Sequence, residues 1–248
     1  MVVFGGSNGR QFFNSVWALD LTDGSESWSQ VRTRGPLPPA RGQHSAIYDA
    51  TNQRMLVYGG HSRYHNFRDV WALDLTLGSE RWSKLPLGSN GPGARRWHSA
   101  IYDAAGSRMV VFGGGGGGAL FNDVWALDLT PGAEAWSQPS VVGTPPAARA
   151  QHTALYDTSG QRMVVFGGRD GSAAMNDTWM LDLATDTWSQ TTPAGSPPAA
   201  RRGHTAVADP ANSRMIVFGG LGSTGFLNDT WTLSLAPGAP TWSQVSPI

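Results

Sequence analysis

Apolar residues along this chain gather in short runs rich in Val, Ile, Trp and Tyr, with clusters of Gly, Pro, Asn and Asp between them. Over residues 35–88 the runs are HSAIYD from His44, RMLVYGG from Arg54, DVWALDL from Asp69 and RWSKL from Arg81. Each has the length and composition of a β-strand, and the turn-forming residues between them mark the strand ends. Connections as short as ATNQ after Asp49 and TLGSE after Leu75 suit antiparallel hairpins, so the segment predicts a four-stranded meander. No stretch shows a helical period over a full window. The runs are nearly continuous, without polar and apolar alternation. Strands that read this way are covered on both faces, which a lone sheet cannot achieve and stacked sheets can.

The same pattern returns along the whole chain. MVVFGG at Met1 is followed by MLVYGG at Met55, MVVFGG at Met109, MVVFGG at Met163 and MIVFGG at Met215. A first tryptophan follows each at Trp17, Trp71, Trp125, Trp179 and Trp231, and a second at Trp28, Trp82, Trp136, Trp188 and Trp242. Ahead of four of the Gly-Gly pairs stands an R-x-x-H-[ST]-A segment, beginning at Arg41, Arg95, Arg149 and Arg201. Internal repetition of this kind, with a period of about 54 residues, signals a radial or solenoid architecture. The expected fold is all-β, a single β-propeller domain over 1–248 with units near 1–34, 35–88, 89–142, 143–194 and 195–248. Each unit is a four-stranded antiparallel meander, except that the first lacks its inner strand. The ring then closes with a three-stranded blade, or the chain is part of something longer.

A Gly-Gly pair, then an aromatic, then a tryptophan (Gly59-Gly60, Trp71 and Trp82, and likewise in the other units) resembles the kelch repeat family. The resemblance implies a kelch-type propeller, a fold that hosts unrelated activities. It also implies that the family's copper oxidases are a poor model, because their metal site needs a cysteine and this chain has Cys 0.

Composition narrows the functional classes. The formal net charge is +0 and no block of like charge occurs, so neither nucleic acid nor an anionic membrane surface is an expected partner. No apolar run approaches the roughly 20 residues that span a bilayer, and the start MVVFGGSNGR does not read as a signal peptide. The absence of cysteine removes disulfides and thiolate chemistry. No nucleophile, base and orienting group stand in a legible constellation, so no catalytic residue, metal or cofactor is expected.

Candidate binding residues fall in two groups. Arg41, Arg95, Arg149 and Arg201 precede the inner strands, where two readings stand. The resemblance implies that arginines near this place grip acidic peptide segments; alternatively each ties down carbonyls or an Asp. His44, His98, His152 and His204 occupy equivalent inner-strand positions, too far apart around a channel for a shared zinc, and read as packed, hydrogen-bonded side chains. Asp49, Asp103, Asp157 and Asp209 face Arg54, Arg108, Arg162 and Arg214 across a hairpin as turn-forming pairs. The second group is variable. The loop between the second and third strands keeps its length while its tip changes, as on a scaffold with a functional rim. Strand alternation puts it on the same face as the loop leading to the inner strand, so that face should collect Arg10, His61, Arg63, Tyr64, His65, Arg96, Trp97, Arg169 and Arg202. Arginine beside aromatics makes hot-spot material. The leading expectation is a non-catalytic scaffold binding a protein or peptide, acidic in character. The alternatives are a carbohydrate-binding or carbohydrate-active propeller that stacks sugars on Tyr64 and Trp97, and a structural subunit that assembles through the incomplete first blade.

Overall fold

A computed structural model describes residues 1–236, 238 and 240–246. It is an all-β, five-blade propeller. The first sheet has three strands, Val2–Phe4, Val16–Asp20 and Ser27–Val31. The second runs Ser45–Asp49, Arg54–Tyr58, Val70–Asp74 and Arg81–Lys84, and the third Ser99–Asp103, Arg108–Phe112, Val124–Asp128 and Trp136–Ser137. The fourth and fifth repeat this order from Thr153–Asp157 and Thr205–Asp209 to Thr187–Thr191 and Thr241–Val245. All pairings within these sheets are antiparallel between sequence neighbours. The helical content among the described residues is one short 3-10 turn, Pro210–Asn212. The expected five units, the first without an inner strand, are thus present.

One contact set is repeated at each junction between blades. The aromatic before the Gly-Gly pair packs edge-on against the next blade's histidine and, edge-on or tilted, against its outer-strand tryptophan. Phe4 meets His44 and Trp82, Tyr58 meets His98 and Trp136, Phe112 meets His152 and Trp188, and Phe166 meets His204 and Trp242, with ring centroids 4.8–5.3 Å apart. Quadrupole-matched edge contacts of this kind add to the area buried. The Gly-Gly pair then lets backbones touch. Gly59 and Gly60 both have positive φ, and a side chain at either would strike a backbone carbonyl, that of Arg95 or of Gly42, below 3 Å. The Gly60 N–H instead donates to the Arg95 carbonyl of the next blade at 2.8 Å. In the fifth blade Phe218 is half exposed where its equivalents are buried, and the near face of the first blade likewise shows Val3 and Trp17.

The expected hairpin pairs are also present. Nε of Arg54, Arg108, Arg162 and Arg214 donates to Asp49, Asp103, Asp157 and Asp209 at 2.7–2.9 Å. Three of these arginines reach on to a carbonyl of the following blade, at Leu129, Leu183 and Leu235. A turn residue and a blade clamp are therefore one side chain.

Trp188 should carry a large share of the junction between blades three and four. It is buried against Phe112 and Trp179, so truncation to alanine leaves a cavity worth ~3–5 kcal/mol. For a chain of this size that is a fall in melting temperature of about 10 °C. Trp28 holds the same repeat position but is 53% exposed, and Trp28→Ala should shift the melting point little. Equal shifts in the two variants, read by thermal denaturation, would contradict the wedge role.

Candidate functional site

The four repeated arginines are spent inside their own blades. Arg149 is fully buried. Its Nη1 and Nη2 donate to the two carboxylate oxygens of Asp177 at 2.8 Å, Nη1 also reaches the Gly167 carbonyl at 3.0 Å, and Nε reaches the Ala147 carbonyl at 3.1 Å. Arg41, Arg95 and Arg201 do the same with Asp69, Asp123 and Asp229. The acceptor is shared, because the indole N–H of Trp71, Trp125, Trp179 and Trp231 donates to the same carboxylates at 2.6–2.7 Å. Burial raises the Asp177 pKa, and the bonds from Arg149 and Trp179 outweigh it, so the net direction is down. At Asp229 the Arg201 bond leads and holds the carboxyl at about 2. These placements correct the expectation of partner-gripping arginines at Arg41, Arg95, Arg149 and Arg201. A guanidinium with no exposed surface and every fork position satisfied has nothing to offer a ligand.

The four histidines are packed as expected. Nε2 of His98, His152 and His204 shares a hydrogen bond with Ser45, Ser99 and Thr153 of the preceding blade at 2.7–2.8 Å. No cluster of metal-ligating side chains occurs among the described residues.

The variable loops do share a face. The loop leading to each inner strand bridges the loop between second and third strands, at Gly42 with His61, Arg96 with Gly115, Ala150 with Arg169 and Arg202 with Leu221. Around the axis, one residue in each of blades two to five takes the left-handed conformation: Gln43, Trp97, Gln151 and Gly203, with φ of 58–61°. That turn points its N–H and C=O sideways, so the Trp97 N–H donates to Gln43, the Gln151 N–H to Trp97 and the Gly203 N–H to Gln151. A chain of backbone bonds rims the mouth and fixes where Trp97 projects.

Beside that rim the side chains interlock. Arg96 lies over the Trp97 ring at 4.2 Å and comes within 3.2 Å of His61 Nδ1, while Arg169 approaches the same indole at 5.8 Å. Phe12 packs edge-on against His61 at 4.8 Å. Desolvation, then the Arg96 charge, holds the His61 pKa below its ordinary value. The structure thus joins His61, Arg96, Trp97 and Arg169 into one strip and adds Phe12, which the sequence reading passed over. Arg63 and Tyr64 stack on each other at 5.7 Å on an exposed tip, and Arg202 lines a cleft of about 490 Å³ with Arg169. Arg10 and His65 are exposed on their own loops.

The exposed carboxylates are gathered on one face. The exposed carboxylates Asp20, Asp23, Glu26, Asp74, Asp128 and Asp182 all sit in the hairpins at the opposite end of the sheets. Among the described mouth-loop residues the exposed carboxylate is Asp170, already held by the N–H groups of Ser172 and Ala173 and by the Ser172 hydroxyl. The mouth therefore carries cationic and aromatic side chains with little opposing charge, whereas the hairpin face mixes its carboxylates with the exposed Arg34 and Arg81.

The model of the KLHDC2/KLHL20/DRC7 Kelch-repeats domain matches residues 1–133 and 130–248. Adagio protein 3 of Arabidopsis thaliana is 31% identical over 226 residues, which are 88% of this chain and 35% of that protein. The Rab9 effector protein with kelch motifs of Xenopus laevis is 30% identical over 215 residues, 84% of this chain and 57% of that protein. Host cell factor 2 of Homo sapiens is 30% identical over 239 residues, covering 29% of its length. The chain spans about a third of the Adagio relatives it matches. The solved structure of YjhT superposes with a TM-score of 0.74 over 98% of this chain and 80% of its own, at 16% identity, a likeness of fold.

Proposed function

The chain belongs to the kelch-repeat family, and from that premise we propose that it is a non-catalytic scaffold that binds an acidic segment of a partner protein at the mouth of the propeller. The observation that carries this reading is the strip Phe12–His61–Arg96–Trp97–Arg169, which crosses blades one to four on a face almost free of exposed carboxylates. Its guanidiniums are fixed by stacking, so less side-chain entropy is lost when a carboxylate arrives. Arginine and tryptophan together are the residue types that anchor interfaces. The relative named as a Rab9 effector supports a protein partner in the same direction. A sugar is less well served, because two guanidiniums already engage the indole on which it would stack.

The test is selection of a displayed peptide library on the protein and on the variant Arg96→Ala, Trp97→Ala, Arg169→Ala. Peptides enriched on the parent should be rich in Asp and Glu, should bind at least tenfold more weakly to the variant, and should weaken as salt is raised. The variant should melt within a few degrees of the parent, since these side chains meet at the half-exposed rim and not in the buried aromatic clusters between blades. Enrichment that survives the triple substitution and is lost on changing Asp74 and Asp128 would move the site to the hairpin face and overturn the proposal.

A further inference from the structure

Repeated blades serve as controls for one another, and the junction between the second and third departs from the rest. Between blades one and two, three and four, and four and five, the linker is clamped to the outer strand of the blade it enters. The Arg34 N–H donates to Glu80 and the Trp82 N–H to Arg34, Val142 to Asp186 and Trp188 to Val142, Ala194 to Pro240 and Trp242 to Ala194, all at 2.8–2.9 Å. A glycine follows each bridging residue at positive φ, and at Gly143 the Trp188 carbonyl lies too near to admit a Cβ. In the linker from Lys84 to Arg95 the corresponding residues are Gly88 and Ser89. No bridge forms there, and the Trp136 N–H has no acceptor in the linker. Trp136 is half-buried where Trp82, Trp188 and Trp242 are buried, and beside it opens a cavity of about 160 Å³.

Two cations that the other blades lack line this cavity. Asn14, Asn122 and Asn176 each donate a side-chain N–H to a linker proline carbonyl, at Pro38, Pro146 and Pro198. The second blade has Arg68 at that position, and its linker is tied instead by the Tyr58 hydroxyl, which donates to the Gly93 carbonyl at 3.0 Å. Lys84, the only lysine in the chain, stands on the same cavity. Arg68 and Lys84 are exposed, and neither forms a hydrogen bond or an ion pair among the described residues. Asp69 is the one carboxylate on the cavity wall, and Arg41 and Trp71 already hold it. Two like charges therefore share one pocket without a counter-ion, an arrangement that an arriving anion relieves. The Ser89 hydroxyl and the N–H groups of Gly88 and Ser89, which donate to nothing else among the described residues, add neutral donors.

We propose that this pocket, on the outer flank between blades two and three, binds a phosphomonoester dianion. A phosphate ester presents three strong acceptor oxygens in different directions, and the donors here come from a guanidinium, an ammonium, a hydroxyl and the linker backbone. Arg68 supplies a planar fork and Lys84 a compact point charge, the two ways in which side chains hold phosphate. A carboxylate carries one charge in one plane, so it occupies the fork and leaves Lys84 uncompensated. The asparagine and glycine that other units place at these positions offer no charge at all. The pocket shares no residue with the mouth strip and stands or falls independently of it.

The test is an NMR titration of the full chain with inorganic phosphate at about pH 8, against sodium chloride at matched ionic strength. The backbone amides of Lys84, Ser89 and Trp136 should shift along a saturating curve with phosphate and stay in place with chloride. Two esters then separate the sources of the group, a capped tripeptide centred on phosphoserine and phenyl phosphate, and the tighter binder assigns the site to a modified protein segment or to a small molecule. The same tripeptide centred on aspartate should bind at least tenfold more weakly than its phosphoserine form. Arg68→Asn, which installs the residue of the other blades, combined with Lys84→Gln should abolish the phosphate response and keep the far-ultraviolet spectrum. Should that variant fail to fold, the comparison of phosphate with chloride on the unaltered chain decides alone. Equal shifts with the two salts, binding that survives the double substitution, or equal binding of the aspartate and phosphoserine peptides would overturn the proposal.

Discussion

Taken from pH 7 to pH 5, the protein should lose most of its stability in one cooperative transition, well before its carboxylates titrate. The cause is the row of inner-strand histidines. Burial, reinforced by the adjacent Arg41, Arg149 and Arg201, lowers the pKa of His44 and His204 to about 4 and that of His152 to about 3, from an ordinary 6.5. Burial with Arg95 drives His98 in the same direction. In the folded chain these rings stay neutral, while in the unfolded chain they take up protons as the pH falls below 6.5. The unfolded state therefore binds more protons between about pH 6.5 and pH 4, and stability drops through that window. At pH 5 each of His44, His152 and His204 costs about 2 kcal/mol, on the order of 6 for the three, with His98 acting in the same direction; that is comparable with the whole stability of an ordinary domain. Urea unfolding at pH 7, 6 and 5 measures this directly. His152→Gln, which cannot titrate, should flatten the slope by roughly a quarter. A free energy of unfolding that is the same at pH 7 and pH 5 would mean that the rings find a compensating carboxylate on charging.

The histidines were legible as structural because they recur. Anything that returns in every unit must satisfy a contact that also returns, and the Gly-Gly pairs, tryptophans and hairpin Asp–Arg pairs share that logic. The fold was therefore almost fully readable. What escaped was the use made of neighbouring residues of one type. Arg95 and Arg96, or Arg201 and Arg202, are adjacent in sequence, yet the first of each pair is buried in a fork and the second is turned to the mouth. Repetition distinguishes them, since the positions of Arg96 and Arg202 hold Gly42 and Ala150 in the other units. The partner aspartates left a second signal. An acid stands two residues before the first tryptophan in the four units that have the arginine, and Ser15 stands there in the unit that has none. That internal covariation names the ion pair without coordinates. The strip at the mouth left no such trace, because its contacts depend on the left-handed turn at Trp97 and on blades stacking to bring Phe12, His61, Arg96 and Arg169 side by side.

Substituting one buried arginine should separate the two kinds most clearly. Arg149→Met keeps the length of the aliphatic stem and removes a guanidinium that satisfies Asp177 twice, together with the carbonyls of Gly167 and Ala147. The carboxylate then stays in the loop with only the Trp179 indole to hold it, and an uncompensated charge at such a site costs about 3–5 kcal/mol. Arg149→Lys should recover little, because an ammonium cannot reproduce the planar fork. Pairing Arg149→Met with Asp177→Asn removes both charges, so the double variant should be more stable than the sum of the single losses implies, by 1 kcal/mol or more on a scale where independent sites add to within about 0.5. The control is Arg202→Ala, on the variable face, which should change stability by no more than about 0.5 kcal/mol. Denaturant midpoints of these five variants decide the matter. Strict additivity across the Arg149–Asp177 cycle, or a loss at Arg202 equal to that at Arg149, would show that the buried fork is not what holds the mouth loop to its blade.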